Sequence, residues 1–212
     1  MSTLTEISEL LQQGRRPKVK KLVQQALDEG IEPSVILEEG LLSGMDIIGQ
    51  KFKNNEVFVP EVLVAARCMS AGTEILRPYL VQDGVEEKGT VVIGTIKGDL
   101  HDIGKNLVRM MMEGKGLKVV DIGVDAEPEK FIEAARENNA SVVACSALLT
   151  TTMNGMRDLV EAVNASDLNG KVKIMVGGAP ITQAFADSIG ADKYTADAAS
   201  AAEVALELCT AG

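Results

Sequence analysis

The chain has no tryptophan, and aromatic residues fill only 3% of its 212 positions. Its cores therefore cannot be built around large rings and fall to Leu, Ile, Val, Ala and Met, within a hydrophobic share of 46%. Positive charge is also short. Against 31 Asp and Glu stand 21 Lys and Arg, for a formal net charge of −10. Such a surface repels phosphate backbones and anionic lipid, so no nucleic acid and no membrane is expected as a partner. Cysteine is limited to Cys68, Cys145 and Cys209, an odd number without metal-type spacing. These read as reduced, mostly buried thiols of a cytoplasmic protein. The first residues, MSTLTEISELLQQGRRPK, carry no apolar core of a secretory signal, and no apolar run is long enough to span a bilayer. Histidine occurs once, as His101.

What is present changes character near residue 85. Before it, apolar residues recur at helical spacing in LTEISELLQQG, RPKVKKLVQQALDEG, EPSVILEEGLLSGMDIIGQKFKNN and VPEVLVAARCMSAGTEILRPYL. Pro33 and Pro60 stand near helix starts, where a missing N–H costs nothing. Four helices in this span predict a four-helix bundle over residues 1–82. The polar stretch after it predicts a linker over 83–89. From 90 to 212 short β-branched runs alternate with helical segments: GTVVIGTI, LKVVDIG, SVVACSA, VKIMVGG and KYTADAA, each followed by a helix. Five such units predict an α/β domain, an open five-stranded parallel sheet with helices on both faces. Strand order does not follow from the sequence; the common order for five units is 2-1-3-4-5, the flavodoxin-like (Rossmann-like) arrangement.

In such a sheet, ligands sit beyond the carboxyl ends of the strands, where the order reverses. The residues found there are KGDLHDIG after the first strand, SALLTTT after the third, GGAP after the fourth and ADAAS after the fifth. With the 2-1-3-4-5 order, His101 and the hydroxyls of Ser146, Thr150 and Thr152 share one site. Asp99 can accept a hydrogen bond from one ring nitrogen of His101, which leaves the other as a base or metal ligand. One histidine with no cysteine nearby cannot build a zinc site. It can serve as a single axial ligand to a metal that brings its own macrocycle. Each piece also has a plainer reading: a surface histidine, a threonine helix cap, a glycine turn. A phosphate-binding loop is excluded, because no Gly-x-x-x-x-Gly-Lys-Ser/Thr occurs.

Taken in order, Asp99-x-His101-x-x-Gly104, Ser146 to Thr152 and Gly177-Gly178 resemble the cobalamin-binding signature of corrinoid proteins. The segment GMDIIGQKFKNNEVFVPEVLVAARCMSAG is similar to the helical cap module of the same family. The two together cover nearly the whole chain. They resemble stand-alone corrinoid proteins of methyltransferase systems, and the matching fragment of cobalamin-dependent methionine synthase. The resemblance implies cobalamin or a related corrinoid as cofactor, handled as methylcobalamin or hydroxocobalamin. It implies His101 as the axial ligand to cobalt, with Asp99 and Thr152 in a relay; the family often has serine where Thr152 stands. It places Gly98, Leu100, Asp102, Ile103 and Gly104 around the ligand loop. Ser146, Leu148, Thr150, Gly177, Gly178 and Ala198 would line the cofactor and its nucleotide tail. Phe52, Val59, Glu38 and Met45 of the cap would cover the upper face, where Val59 replaces a frequent leucine. The cap would have to lift on the 83–89 linker to admit a partner.

The function so implied is that of a methyl carrier. It would accept a methyl group on Co(I) through a substrate-specific methyltransferase. A second methyltransferase would then take the methyl from methyl-Co(III) to coenzyme M or tetrahydrofolate, and a reductive activation protein would restore the cofactor. Methylamines, betaines, methanol and aryl methyl ethers are the candidate donors. Other readings are a cobalamin-dependent sensor, a mutase domain and a phosphorelay receiver. A sensor usually adds a DNA-binding element for which no residues remain; a mutase domain lacks such a cap; a receiver needs a lysine that the loop after the fifth strand does not contain.

Overall fold

The computed structural model describes residues 2–82 and 87–211. The chain divides into two units, Met1–Glu86 and Glu87–Gly212. Of the linker expected at 83–89, residues 83–86 lie outside the described residues.

The first unit is helical. Ser2 opens α1 (Thr3–Gln12) by accepting the Thr5 N–H at 3.2 Å, and α1 buries Ile7 and Leu11. α2 (Arg16–Asp28) carries Pro17 in its first turn and buries Val19, Val23 and Ala26, spaced as one helical face. The third helical stretch is not uniform. α3 (Pro33–Val35) passes through a π-helical segment, Ile36–Leu42, into α4 (Ser43–Lys53). The sequence predicts one regular helix here. Ile36 and Leu41, five residues apart, are both fully buried, and the wider π turn brings them to one side. Gly40 and Gly44 let this stretch lie close on α1: a Cβ would meet Ile7 Cγ2 at 3.2 Å and the Ser8 carbonyl at 3.1 Å. α5 (Val59–Gln82) continues through Pro78.

The second unit is a five-stranded parallel sheet in the order β2-β1-β3-β4-β5. Its strands are β1 (Thr90–Thr95), β2 (Lys118–Asp121), β3 (Val142–Ser146), β4 (Lys173–Gly177) and β5 (Lys193–Tyr194). The connecting helices are α6 (Ile103–Glu113), α7 (Pro128–Glu137), α8 (Met153–Ala165) and α9 (Gln183–Ile189), with α10 (Ala198–Thr210) last. Alternate strand residues Val92, Val143, Cys145, Ile174 and Val176 join one core with Phe131 of α7 and Met156 and Leu159 of α8. The residues between them, Val91, Ile93, Val142, Ala144 and Met175, are buried as well. Both faces of the sheet are therefore covered, as a parallel sheet requires. Burying Phe131 alone stabilises by about 1.5–3 kcal/mol.

Sheet register brings the loops together. Thr95 pairs with Ser146, and Ser146 with Gly177. Three strands thus end at one level, and the loops after them start side by side. The order reverses between β1 and β3, which is where an open α/β sheet holds ligands.

Candidate functional site

β1 ends on Thr95, which is wholly buried and whose hydroxyl donates to the His101 carbonyl at 2.8 Å. The intervening chain turns tightly. The Asp99 N–H donates to the Ile96 carbonyl at 3.1 Å, and Gly98 takes φ +80°, a conformation glycine adopts without a Cβ penalty. The turn drives Asp99 inward, to zero exposure, while His101 keeps its side chain 52% exposed.

Asp99 is the hub. Its Oδ1 accepts the His101 backbone N–H at 3.0 Å and lies 2.8 Å from His101 Nδ1. Its Oδ2 accepts the backbone N–H groups of Leu148 at 2.7 Å and Leu149 at 3.2 Å, and the Thr152 hydroxyl reaches it at 3.1 Å. That hydroxyl also lies 2.9 Å from the Leu149 carbonyl, and its one proton serves one acceptor at a time. Burial works to raise the Asp99 pKa. The hydrogen bonds from Leu148, His101 and Leu149 outweigh it and hold the carboxyl well below the usual carboxylate range. An ionised Asp99 can only accept. Nδ1 of His101 therefore carries the proton in this pairing, and the Nε2 lone pair is left available.

Four large apolar side chains on the same two loops face solvent: Leu100 (72% exposed), Ile103 (77%), Leu148 and Leu149. Leucine and isoleucine on the loops of a half-exposed imidazole thus leave apolar surface facing water. Next to them, a Cβ at Gly104 would meet nothing within 4 Å, so the start of α6 leaves open space. Gly178 is the opposite case. It holds φ +130°, and a Cβ there would stand 1.8 Å from the Ala147 carbonyl oxygen. Only glycine lets the β4 loop approach the β3 loop so closely.

The other residues singled out in the sequence fall both inside and outside this cluster. Ser146 ends β3, half-buried, and its carbonyl accepts the Ile96 N–H at 3.0 Å. Thr150 lies exposed in the turn of 3₁₀-helix Thr150–Thr152. Thr152 sits at the N-terminus of α8 but makes no side-chain cap there, because its hydroxyl turns to Asp99 and Leu149. Asp102 is exposed and accepts from the Asn106 side chain at 3.1 Å. Gly177 would place a Cβ 3.5 Å from the Thr195 carbonyl. Ala198, the first residue of α10, is buried. In the helical unit, Glu38 is exposed on the π segment, Met45 is buried in α4, and Phe52 and Val59 are half-buried. Among the described residues, no group of three or more His, Cys, Asp or Glu side chains could hold a metal ion. The site offers a metal one nitrogen and no cage. Nor is any helix among the described residues long and apolar enough to cross a membrane.

Sequence reasoning missed three participants: Thr95, the Leu149 N–H and Asp125. Asp125 holds φ +52° and accepts the Gly98 N–H at 2.7 Å. Its one sequence signal is that Asp tolerates the left-handed region better than most residues.

Known proteins resemble this chain along nearly its whole length. A family model described as a B12 binding domain matches residues 89–206, and a second of the same description matches residues 3–77. Dimethylamine corrinoid protein 2 of Methanosarcina acetivorans is 43% identical over 207 residues, covering 97% of this chain and 95% of that protein. Trimethylamine corrinoid protein 1 of Methanosarcina mazei is 43% identical over 176 residues, 82% of each chain. Among solved structures, the methanol:cobalamin methyltransferase complex MtaBC of Methanosarcina barkeri contains a chain with TM-score 0.89 and 26% identity. That match covers 99% of this chain and 80% of the other.

Proposed function

The chain belongs to the B12-binding family of corrinoid proteins of methyltransferase systems, and from that premise we propose that it carries a methyl group between two methyltransferases. One, specific for the methylated substrate, loads the carrier; the other unloads it to coenzyme M or tetrahydrofolate, and a reductive activation protein keeps the cofactor competent. A methylated amine is the proposed donor. Over the aligned residues, relatives named for dimethylamine and trimethylamine are 43% identical to this chain, against 26% for the chain of the methanol complex. The proposed setting is the cytoplasm.

The observation that carries the reading is the asymmetric pair at the end of β1, a buried Asp99 that fixes the tautomer of a half-exposed His101. Its residues fit a corrinoid. Nε2 would be available as a single nitrogen ligand, Leu100, Ile103, Leu148 and Leu149 offer apolar surface, and Gly178 lets two loops close together. When bound, the cofactor supplies the group-transfer chemistry, since its cobalt accepts a methyl group and gives it up.

The chain's own residues do the rest. His101 would present Nε2 to the metal. Asp99 Oδ1 holds the Nδ1 proton and raises the basicity of the ligating nitrogen. Thr152 Oγ1, on the other carboxylate oxygen, would extend the hydrogen-bonded chain along which a proton could reach or leave the Asp99–His101 pair. Contacts of the corrinoid with Gly98, Asp102, Gly104, Ser146, Thr150, Gly177 and Ala198, and with Glu38, Met45, Phe52 and Val59, belong to the same proposal.

The test is spectroscopic. Apoprotein mixed with hydroxocobalamin is expected to give a visible spectrum of histidine-ligated cobalt, lost or altered in His101→Ala. An unchanged spectrum in the variant would sink the ligand assignment. Methyl transfer is then followed with dimethylamine, trimethylamine and methanol methyltransferases as loading partners. Loading by the methanol enzyme alone would overturn the amine assignment.

A further inference from the structure

Asp99 fixes how the His101 ring is turned, but the backbone decides where the ring stands. Two residues that touch neither the ring nor the Asp99 carboxylate hold that backbone. Resting on the reading of His101 as the cobalt ligand, we infer that Thr95 and Asp125 are positioning residues that set where the imidazole stands.

Thr95 supplies a fixed point. Its N–H donates to the Gly123 carbonyl at 3.0 Å, and its carbonyl accepts the Ala126 N–H at 3.0 Å. Sheet register with Ser146 pins it from the other side. Its hydroxyl, on a wholly buried side chain, donates to the His101 carbonyl at 2.8 Å. With the His101 N–H held by Asp99 Oδ1, both backbone polar groups of the ligand residue are tied.

Asp125 supplies a clamp from the loop after β2. Its Oδ1 accepts the Gly98 N–H at 2.7 Å, and its own N–H donates to the Asp99 carbonyl at 3.0 Å. One residue thus grips the loop at two successive positions, just before the ligand. It does so at φ +52°, a left-handed conformation that costs a non-glycine residue energy and persists where the surroundings over-determine it. The neighbouring Ala126 carbonyl takes the Lys97 N–H at 2.9 Å. The β2–α7 loop is thereby laced along the histidine loop. Asp125 itself is exposed and packs into no core, so its contribution is the clamp.

The test uses the sole histidine as a spectroscopic label. The full chain is made with ¹⁵N-histidine, loaded with hydroxocobalamin, reduced to Co(II) and read by electron paramagnetic resonance. Coupling to ¹⁵N reports His101 alone, since the cofactor's own base carries ¹⁴N. Thr95→Val removes the donor at constant shape and Thr95→Ser keeps it. Asp125→Gly keeps the backbone conformation and removes the carboxylate, while Asp125→Asn keeps both backbone and acceptor. Thr95→Val and Asp125→Gly are each expected to lower the ratio of histidine-ligated to histidine-free cobalt about five-fold, the effect of one lost hydrogen bond of ~1 kcal/mol. Thr95→Ser and Asp125→Asn should restore the ratio to within about two-fold, a rescue that tracks the hydrogen bond rather than general stability. A wild-type ratio in both Thr95→Val and Asp125→Gly overturns the inference and leaves the ligand reading standing. Wild-type protein without ¹⁵N coupling overturns both. If Thr95→Val fails to fold, the exposed Asp125 pair decides alone.

Discussion

Asp99 and His101 meet at 2.8 Å, yet only the acid is buried: Asp99 has no exposed surface, and the His101 side chain is half open to solvent. The protein therefore concentrates its hydrogen bonds on the carboxylate, which collects donors from two loops, and presents the imidazole as the outward group.

Replacing Asp99 should cost more than replacing His101. Asp99→Asn keeps one acceptor oxygen but sets an NH₂ against the Leu148 and Leu149 N–H groups or against that of His101. Leaving such buried donors facing one another should destabilise the apoprotein by roughly 2–4 kcal/mol. His101→Ala, at a half-exposed side chain, should change stability far less. Urea midpoints of the two apoproteins check this; equal midpoints would show that Asp99 is not the hub.

The same carboxylate has a pH signature. Its folded pKa is depressed, so its stabilisation is present above the ordinary aspartate value, near 4, and is lost as pH falls below that value toward the folded one. The advantage of wild type over Asp99→Asn should be full at neutral pH and narrow steadily below about pH 4. Denaturation of both apoproteins across that window measures it. A difference constant with pH would contradict an ionised Asp99.

Much of this site could be read from the chain, because the loops after parallel strands fall on one edge and His101 is the sole imidazole. The Asp99–His101 spacing and the hydroxyl of Thr152 were visible once SALLTTT was placed after the third strand. Strand order was not, since hydrophobic runs carry no information on which strand lies beside which. The π segment was hidden because Ile36 and Leu41 look equally apolar in a regular helix. Thr95 passed as one more β-branched residue in a buried run. Asp125 passed as a loop acid, because its role depends on a φ value and on the loop that happens to lie alongside it.

A buried ion pair joins α6 to the end of β2. Lys105 Nζ donates to Asp121 Oδ1 at 2.6 Å and Oδ2 at 2.5 Å, and to the Asn106 side chain at 3.0 Å; Lys105 is 3% exposed. Asp121→Ala would strand the buried ammonium with one neutral partner and should cost about 3 kcal/mol. Lys105→Met leaves Asp121 with the Gly123 N–H at 2.9 Å, the Arg109 guanidinium at 3.9 Å and partial solvent, and should cost less than half as much. Reversed urea midpoints would show that the acid, not the lysine, bears the desolvation.

Two glycines separate folding from binding. Gly178→Ala forces a Cβ to 1.8 Å from the Ala147 carbonyl at φ +130°, so the two loops must part and the apoprotein should melt lower, by the equivalent of about 3 kcal/mol or more. Gly104→Ala meets nothing within 4 Å, in the first turn of α6, where alanine favours the helix by up to about 1 kcal/mol. The apoprotein should therefore melt at the same temperature or higher. If the open space at Gly104 belongs to the cofactor, the added methyl should still weaken hydroxocobalamin uptake by about ten-fold, since close approach there is what the missing side chain permits. Thermal melts paired with cofactor titration separate the two effects. A Gly104→Ala protein that melts normally and binds the corrinoid as tightly as wild type would remove that glycine from the site, and the start of α6 with it.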